Sequence, residues 1–264
     1  MTSRTLGPLH DGLDLLEWLS DQPEAVGVTT AAAQFAWPRS RAHRVLGALV
    51  AAGYALQEAD RRYRATARVL RLACGTMSRH PLRALALPAL RRTSEATGCD
   101  SVFSVLDGER TLAIAVDSPA GRPAADPFAM LGRAAHLHGA ANGKVLLAWM
   151  PLLDQEALLA RLELPALTAR TITDREALAR ELVLVRSRGW ALNDGENHPD
   201  IRTVSVPVFD GFHRCVAALG ASQVPALVDP ALVVPVLQRE SAALTRALAG
   251  LPGAAHSRPA PVKA

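Results

Sequence analysis

Pro38-Arg39-Ser40-Arg41-Ala42-His43-Arg44-Val45-Leu46-Gly47-Ala48-Leu49-Val50-Ala51-Ala52-Gly53-Tyr54 is the stretch on which the reading of this chain turns. It predicts a helix opened by proline, which loses nothing at a first helical position, and closed by glycine. At about 100° per residue, Ala42, Val45, Leu46 and Leu49 share one stripe. Ser40, His43, Arg44 and Gly47 gather opposite, flanked by Arg39 and Arg41. Such a helix rests on a small core and offers guanidinium and hydroxyl groups to phosphates and base edges.

The flanking sequence converts an amphipathic helix into a DNA-binding head. Upstream, Leu13, Leu15, Leu16 and Leu19 are spaced for a helix over 9–20. Val28 to Phe35 reads as a short second helix with Thr29 or Thr30 as its cap. Downstream, Tyr54 to Gln57 and Arg61 to Arg64 predict a hairpin turning at Glu58-Ala59-Asp60, with a basic returning strand. Three helices and a basic hairpin follow the order of a winged helix-turn-helix, whose third helix enters the major groove while the wing touches backbone. Arg39, Ser40, Arg41, His43, Arg44, Arg61, Arg62 and Arg64 are therefore the expected contacts to double-stranded operator DNA.

Charge supports this locally. The net charge of +4 is modest for 264 residues. Between positions 39 and 79, however, nine arginines face only Glu58 and Asp60, whereas Asp11, Asp14, Glu17, Asp21 and Glu24 dominate the preceding helices. A basic third helix and wing form the electrostatic footprint of a duplex binder.

The length calls for a second domain. With 49 % hydrophobic residues, there is material for its core. No apolar run is long enough to cross a membrane and no signal-peptide core opens the chain, so a soluble, cytoplasmic protein is expected. Cys74, Cys99 and Cys215 form no ligand pattern and read as buried thiols of a reducing compartment. Thr66 to Met77 predicts a linker helix whose Val69, Leu70, Leu72, Ala73 and Met77 are too apolar to stay bare. Pro81 interrupts, and a further helix is expected to carry Leu85, Leu87, Leu90 and Ala96 up to Gly98.

Beyond it, Ser101–Leu106 and Thr111–Val116 alternate as strands about Asp107-Gly108-Glu109-Arg110. Val204–Phe209 and Cys215–Ala221 form a second such pair about Asp210-Gly211. Helices are expected near 140–149, 154–161, 174–188 and 229–249. Of the four tryptophans, Trp18, Trp37, Trp149 and Trp190 read as core or domain-contact residues. His136 and His138 would share a strand face but lack a third ligand, so no metal site is expected. Gly143-Lys144 lacks the remaining elements of a phosphate loop. Ser101, Ser104 and Ser222 have no nucleophile motif around them. No cofactor is expected.

Three stretches together resemble the IclR family of transcriptional regulators, over about residues 9 to 249. They are Pro38 to Arg44 with Gly53-Tyr54 and Tyr63-Arg64; Leu137-His138-Gly139-Ala140-Ala141-Asn142-Gly143-Lys144-Val145-Leu146-Leu147-Ala148, similar to the family's LHxTAxGKxLLA; and Thr171-Ile172-Thr173, Val185 to Ala191, Glu196 and Val204 to Asp210. The resemblance implies an α+β protein. Its parts would be a winged helix-turn-helix over 1–65, a linker helix over 66–80, a GAF-like effector-binding domain with an antiparallel sheet over 81–250, and a disordered tail over 251–264.

The resemblance also implies a small organic acid effector held by Ala141, Asn142, Asn193, Thr203, Gly220 and Ser222, with Arg133, Lys144 and Arg202 as the nearby cations. It further implies a homodimer or homotetramer with head dimers on near-palindromic sites, and no membrane partner. Three positions depart from the family pattern. His198 and Asp200 differ in one loop, Asp200 standing where glycine is common, and Asp11 stands where the family often has arginine near the DNA. An enzyme acting on a small acid, with the winged helix as a regulatory module, is the alternative; it lacks a nucleophile–base or metal constellation.

Overall fold

The computed structural model describes residues 7–120, 130–223 and 229–250, so the tail expected over 251–264 lies outside the described residues. Two compact units divide the chain between Arg79 and His80. Among the described residues, no helix is long and apolar enough to cross a membrane.

In the first unit, helices α1 (Pro8–Ser20), α2 (Val28–Gln34) and α3 (Arg39–Ala51) precede strands β1 (Ala55–Gln57) and β2 (Tyr63–Ala65) and helix α4 (Arg68–Met77). Leu15, Leu19, Ala31, Ala42, Leu46 and Tyr63 close a small core. Trp18, Phe35 and Trp37 extend it as an edge-on and a stacked ring pair. The hairpin pairs Ala55 with Ala65 and Gln57 with Tyr63, and Tyr63 also bridges to Val26.

Helix ends differ from the sequence reading in detail. Pro38 is the N-cap of α3 rather than its first residue. Gly27 precedes α2 with no side-chain cap, and Thr29 inside that helix accepts a hydrogen bond from Arg39 instead. Both α2 and α3 end in paired reverse hydrogen bonds, Trp37 N–H to Ala32 O with Ala36 N–H to Ala33 O, and Tyr54 N–H to Leu49 O with Gly53 N–H to Val50 O. This closure needs a left-handed residue. Gly53 adopts it at φ +77, but at α2 the position falls to Ala36, at φ +50.

Along α4, Leu70 and Leu72 are 64 % and 53 % exposed. Cys74 on the same helix is exposed, against the expectation of a buried thiol, whereas Cys99 is buried and Cys215 half-buried. A helix whose apolar stripe is uncovered cannot bury a thiol beside it.

The second unit is built on a six-stranded antiparallel sheet ordered β5-β4-β3-β8-β7-β6. Its strands are β3 (Asp100–Asp107), β4 (Arg110–Asp117), β5 (Ala134–His136), β6 (Ala191–Asp194), β7 (Arg202–Phe209) and β8 (Cys215–Gln223). Helices α5 (Pro81–Thr97) and α9 (Pro230–Ala249) cover one face; α6 (Ala141–Ala148), α7 (Leu152–Arg161) and α8 (Arg175–Arg188) contribute to a core on the other. Alternation in the sequence assigns the faces. Val204, Val206, Val208, Leu219 and Ala221 pack with Leu90 and Leu237. The intervening Thr203, Ser205, Ala218, Gly220 and Ser222 therefore turn toward α6.

Helix α8 follows Asp174, whose side chain accepts from Ala177 N–H as its N-cap, and ends at Gly189 in the left-handed region. The short strand β6 has no counterpart in the sequence reading. Among the described residues it pairs with positions 202–205 of β7. Beyond it, α9 side chains serve the edge of β7: Ser241 donates to Pro207 O, and Phe209 N–H donates to Thr245 Oγ1. A proline, which has no N–H to leave unpaired, suits that edge.

Candidate nucleic-acid face and effector site

On α3, the side opposite the core is exposed: Arg39, Ser40, His43 and Arg44 all lie there. Among the described residues, the Arg44 side chain has neither a hydrogen bond nor an ion pair. Arg61, Arg62 and Arg64 are exposed on the wing. Arg61 occupies the left-handed turn position at φ +66. Asp60 lies 3.4 Å from Arg62, and Glu58 lies 2.5 Å from Arg64, so the two wing acids offset part of its charge.

Arg41 is placed differently from the other candidates. It donates to both carboxylate oxygens of Asp11, at 2.7 to 2.9 Å. Its guanidinium lies over Trp37, 4.8 Å from the ring centroid. Asp11 is itself buried. The departure at position 11 is thus a fastening between α1 and α3, which sequence spacing alone does not reveal.

The second site lies where the N-terminus of α6 meets the polar face of the sheet. Gly143 lets this helix start against the preceding loop, since a Cβ there would lie 2.3 Å from Leu137 O. Asn142 then reaches the sheet, donating through Nδ2 to Ser104 Oγ at 2.7 Å and accepting from Ser205 Oγ. All three are buried. Gly220 lies beneath them: a Cβ added there would sit 2.7 Å from Ser205 Oγ and 2.8 Å from Asn142 Oδ1. Its role is to leave room.

Thr203 donates to Ser222 Oγ at 3.1 Å on the same face. Ala141 is buried at the start of α6. Asn193 is buried too, but its Oδ1 accepts the N–H groups of Glu196 and Asn197 and so shapes the loop after β6. The six expected residues thus fall into a sheet-and-helix group and one loop-holding asparagine. Ser104 and Ser205 complete the group. The alternation Thr203-Val204-Ser205-Val206 carried a signal for Ser205; nothing local marked its meeting with Asn142, 63 positions away.

Of the three nearby cations, Arg133 is exposed and the other two are paired. Lys144, 1 % exposed, donates to Glu196 Oε1 at 2.7 Å. Glu181 lies 3.8 Å from Lys144 and pairs with Arg188. Burial raises the Glu196 carboxyl above the ordinary glutamate value, although Lys144 pulls the other way. Arg202 is paired with Asp194. His198 and Asp200, the other two departures, are exposed, the Asp200 N–H donating to His198 Nδ1.

Between His136 and His138 the ring centroids are 5.5 Å apart, edge to face. His138 is fully buried with Nε2 against Pro165 O, and burial lowers its pKa. No group of three or more metal-ligating side chains occurs among the described residues.

A helix-turn-helix with a basic wing, joined to a sheet domain carrying a polar cluster under a Gly-Lys helix, is matched in known proteins. The model of the bacterial transcriptional regulator IclR C-terminal domain matches residues 74–230, and that of the IclR helix-turn-helix domain matches residues 11–59. The chain belongs to the IclR family of transcriptional regulators. It is 30 % identical to the HTH-type transcriptional regulator XynR of Escherichia coli over 89 % of this chain and 94 % of that protein. It is 29 % identical to the glycerol operon regulatory protein of Streptomyces griseus over 83 % of this chain and 85 % of the other. The crystal structure of Thermotoga maritima IclR superposes with a TM-score of 0.67 at 26 % identity, covering 91 % of this chain and 98 % of that one. These relatives are regulators, which sets aside the enzyme alternative.

Proposed function

We propose that this regulator binds operator DNA through the outer face of α3 and the wing, and that a small organic acid bound in the second unit controls a catabolic operon. The observation that carries the DNA reading is the exposed, unpaired Arg44 beside Ser40 and His43, opposite the buried stripe Ala42, Val45, Leu46 and Leu49. An Arg fork at such a position reads guanine edges, and wing arginines neutralise phosphates. Arg39, Arg61, Arg62 and Arg64 supply the backbone contacts. Arg41 contributes by fixing α3 on α1.

In the second unit, the first N–H groups of α6, opening at Ala141, Asn142 and Gly143, favour an anion. Ser104, Asn142, Thr203, Ser205 and Ser222 add uncharged hydrogen-bonding groups, and Gly220 provides clearance. Since the buried Lys144 is already held by Glu196, uncharged hydrogen bonds dominate recognition at this cluster. Exposed Leu9 and Leu13 on α1 and Leu70 and Leu72 on α4 support assembly through the heads as a homodimer or a pair of homodimers. A near-palindromic site with half-sites about one helical turn apart matches that symmetry. The protein acts in the cytoplasm.

A thermal-shift screen of central-carbon and aromatic catabolic acids tests the effector. Binding at a hundredfold excess over Kd stabilises the native state by about 2.7 kcal/mol. Asn142→Leu removes the response to the acid found and leaves DNA affinity unchanged. Unaltered acid affinity in that variant refutes this site.

A further inference from the structure

Outside the polar cluster, where β6 and β7 lead into their connecting loop, Thr168, Ala169, Arg170, Gly195, Pro199 and Arg202 line a cavity of about 230 Å³. Two guanidinium groups flank it, brought together by one carboxylate. Arg170 Nη1 donates to Asp194 Oδ2 at 2.7 Å, and Arg202 Nε approaches Asp194 Oδ1. Arg202 Nη1 is fixed on Pro199 O at 2.8 Å. Thr168 holds the other wall through its bond to Gly195 O. Gly195 stands at φ +75, and a Cβ there would lie 2.9 Å from Arg202 Nη1. The loop thus passes close against the Arg202 guanidinium, whose side chain stays 18 % exposed, whereas that of Arg170 is 58 % exposed.

Two cations against one anion leave the cavity positive; the exposed His198 and Asp200 of the same loop do not line it. Each guanidinium carries five N–H donors in a fixed fork. Asp194 and nearby carbonyls engage Nη1 of Arg170 and Nε and Nη1 of Arg202, leaving further donor edges on both. The volume lies below the roughly 300–1,000 Å³ of drug-sized pockets, and suits one oxyanion group on a few carbons. Arginine forks match both carboxylate and phosphoryl oxygens.

We propose that Arg170 and Arg202 form a second anion site, which takes the phosphoryl or carboxylate group of a small metabolite. Asp194 holds the two arginines in register and competes with that group for them.

Calorimetry on the full chain tests this with inorganic phosphate and, separately, malonate, each at constant ionic strength against chloride. At least one is expected to bind: phosphate alone identifies a phosphoryl site, malonate alone a carboxylate site, and both a general oxyanion site. Arg170→Ala, at an exposed position where folding should survive, is expected to weaken binding about tenfold or more, the loss of a charged hydrogen bond. Asp194→Asn is expected to tighten it severalfold by removing the competitor. Absence of binding by both anions, unchanged affinity in Arg170→Ala, or unchanged affinity in folded Asp194→Asn overturns the proposal.

Discussion

Lys144 and Glu196, 52 positions apart, meet in a buried ion pair whose Nζ–Oε1 distance is 2.7 Å. The lysine projects from α6 and the glutamate from the loop that Asn193 shapes. Thr168 and Thr171 donate to the backbone carbonyls of Gly195 and Glu196 in that loop. The family's Gly-Lys signature therefore acts here as a clasp: glycine brings α6 against Leu137, and lysine fastens the helix to the loop. Removing one partner strands a buried charge, so Lys144→Met is expected to lose about 3–5 kcal/mol in denaturant unfolding. A loss below 1 kcal/mol would show that the pair is solvated.

Glu196 also sets a pH dependence. Its folded pKa lies above the ordinary 4.5, so the folded state binds the proton more readily than the unfolded chain. This contribution to stability is full below the unfolded value and is lost as pH rises through the folded value. Glu196→Gln is expected to flatten that part of the stability profile, measured by urea unfolding from pH 4 upward. A wild-type contribution that increases with pH would reverse the assignment.

Gly220 tests the packing of the polar cluster. A methyl at that position would press on Ser205 Oγ and Asn142 Oδ1, and overpacking of this kind costs about 1–3 kcal/mol. Gly220→Ala is expected to lower the unfolding midpoint accordingly. Asn142→Ala leaves Ser104 and Ser205 buried without their partner, at a cost of about 1–3 kcal/mol. A neutral outcome in both would place Asn142 away from the sheet.

Ala36 closes α2 in a left-handed conformation, which disfavours a side chain by about 1–2 kcal/mol. Glycine relieves that strain but adds freedom to the unfolded chain. Ala36→Gly is expected to stabilise the head by about 0.5–1 kcal/mol in thermal unfolding; destabilisation would contradict the turn geometry.

Much of this architecture was legible because it is local. Period and punctuation mark α3, the wing and the alternating strands: Ala42, Val45, Leu46 and Leu49 had to share a face whatever they packed against, and Gly53 and Gly189 had to end helices. What stayed hidden depends on long-range pairing. Asp11 reads as a departure near the DNA and Arg41 as a contact to it, because nothing in local spacing says that α1 and α3 bring them together. Lys144 reads as a cation near the effector, and nothing local marks Glu196 as the group that holds it. Strand β6, four residues long, is defined only by its pairing with β7.

The division of labour on α3 is the central claim. A site selected by the wild-type protein from a random duplex pool, then titrated with Arg44→Ala and Arg41→Ala, tests it most directly. Arg44→Ala is expected to keep its stability, lose about 1–3 kcal/mol of specific affinity and relax preference at one base pair. Arg41→Ala is expected to lose stability with no relaxation at any base pair. Failure of the wild type to enrich a sequence, or unchanged affinity in Arg44→Ala, would contradict the account.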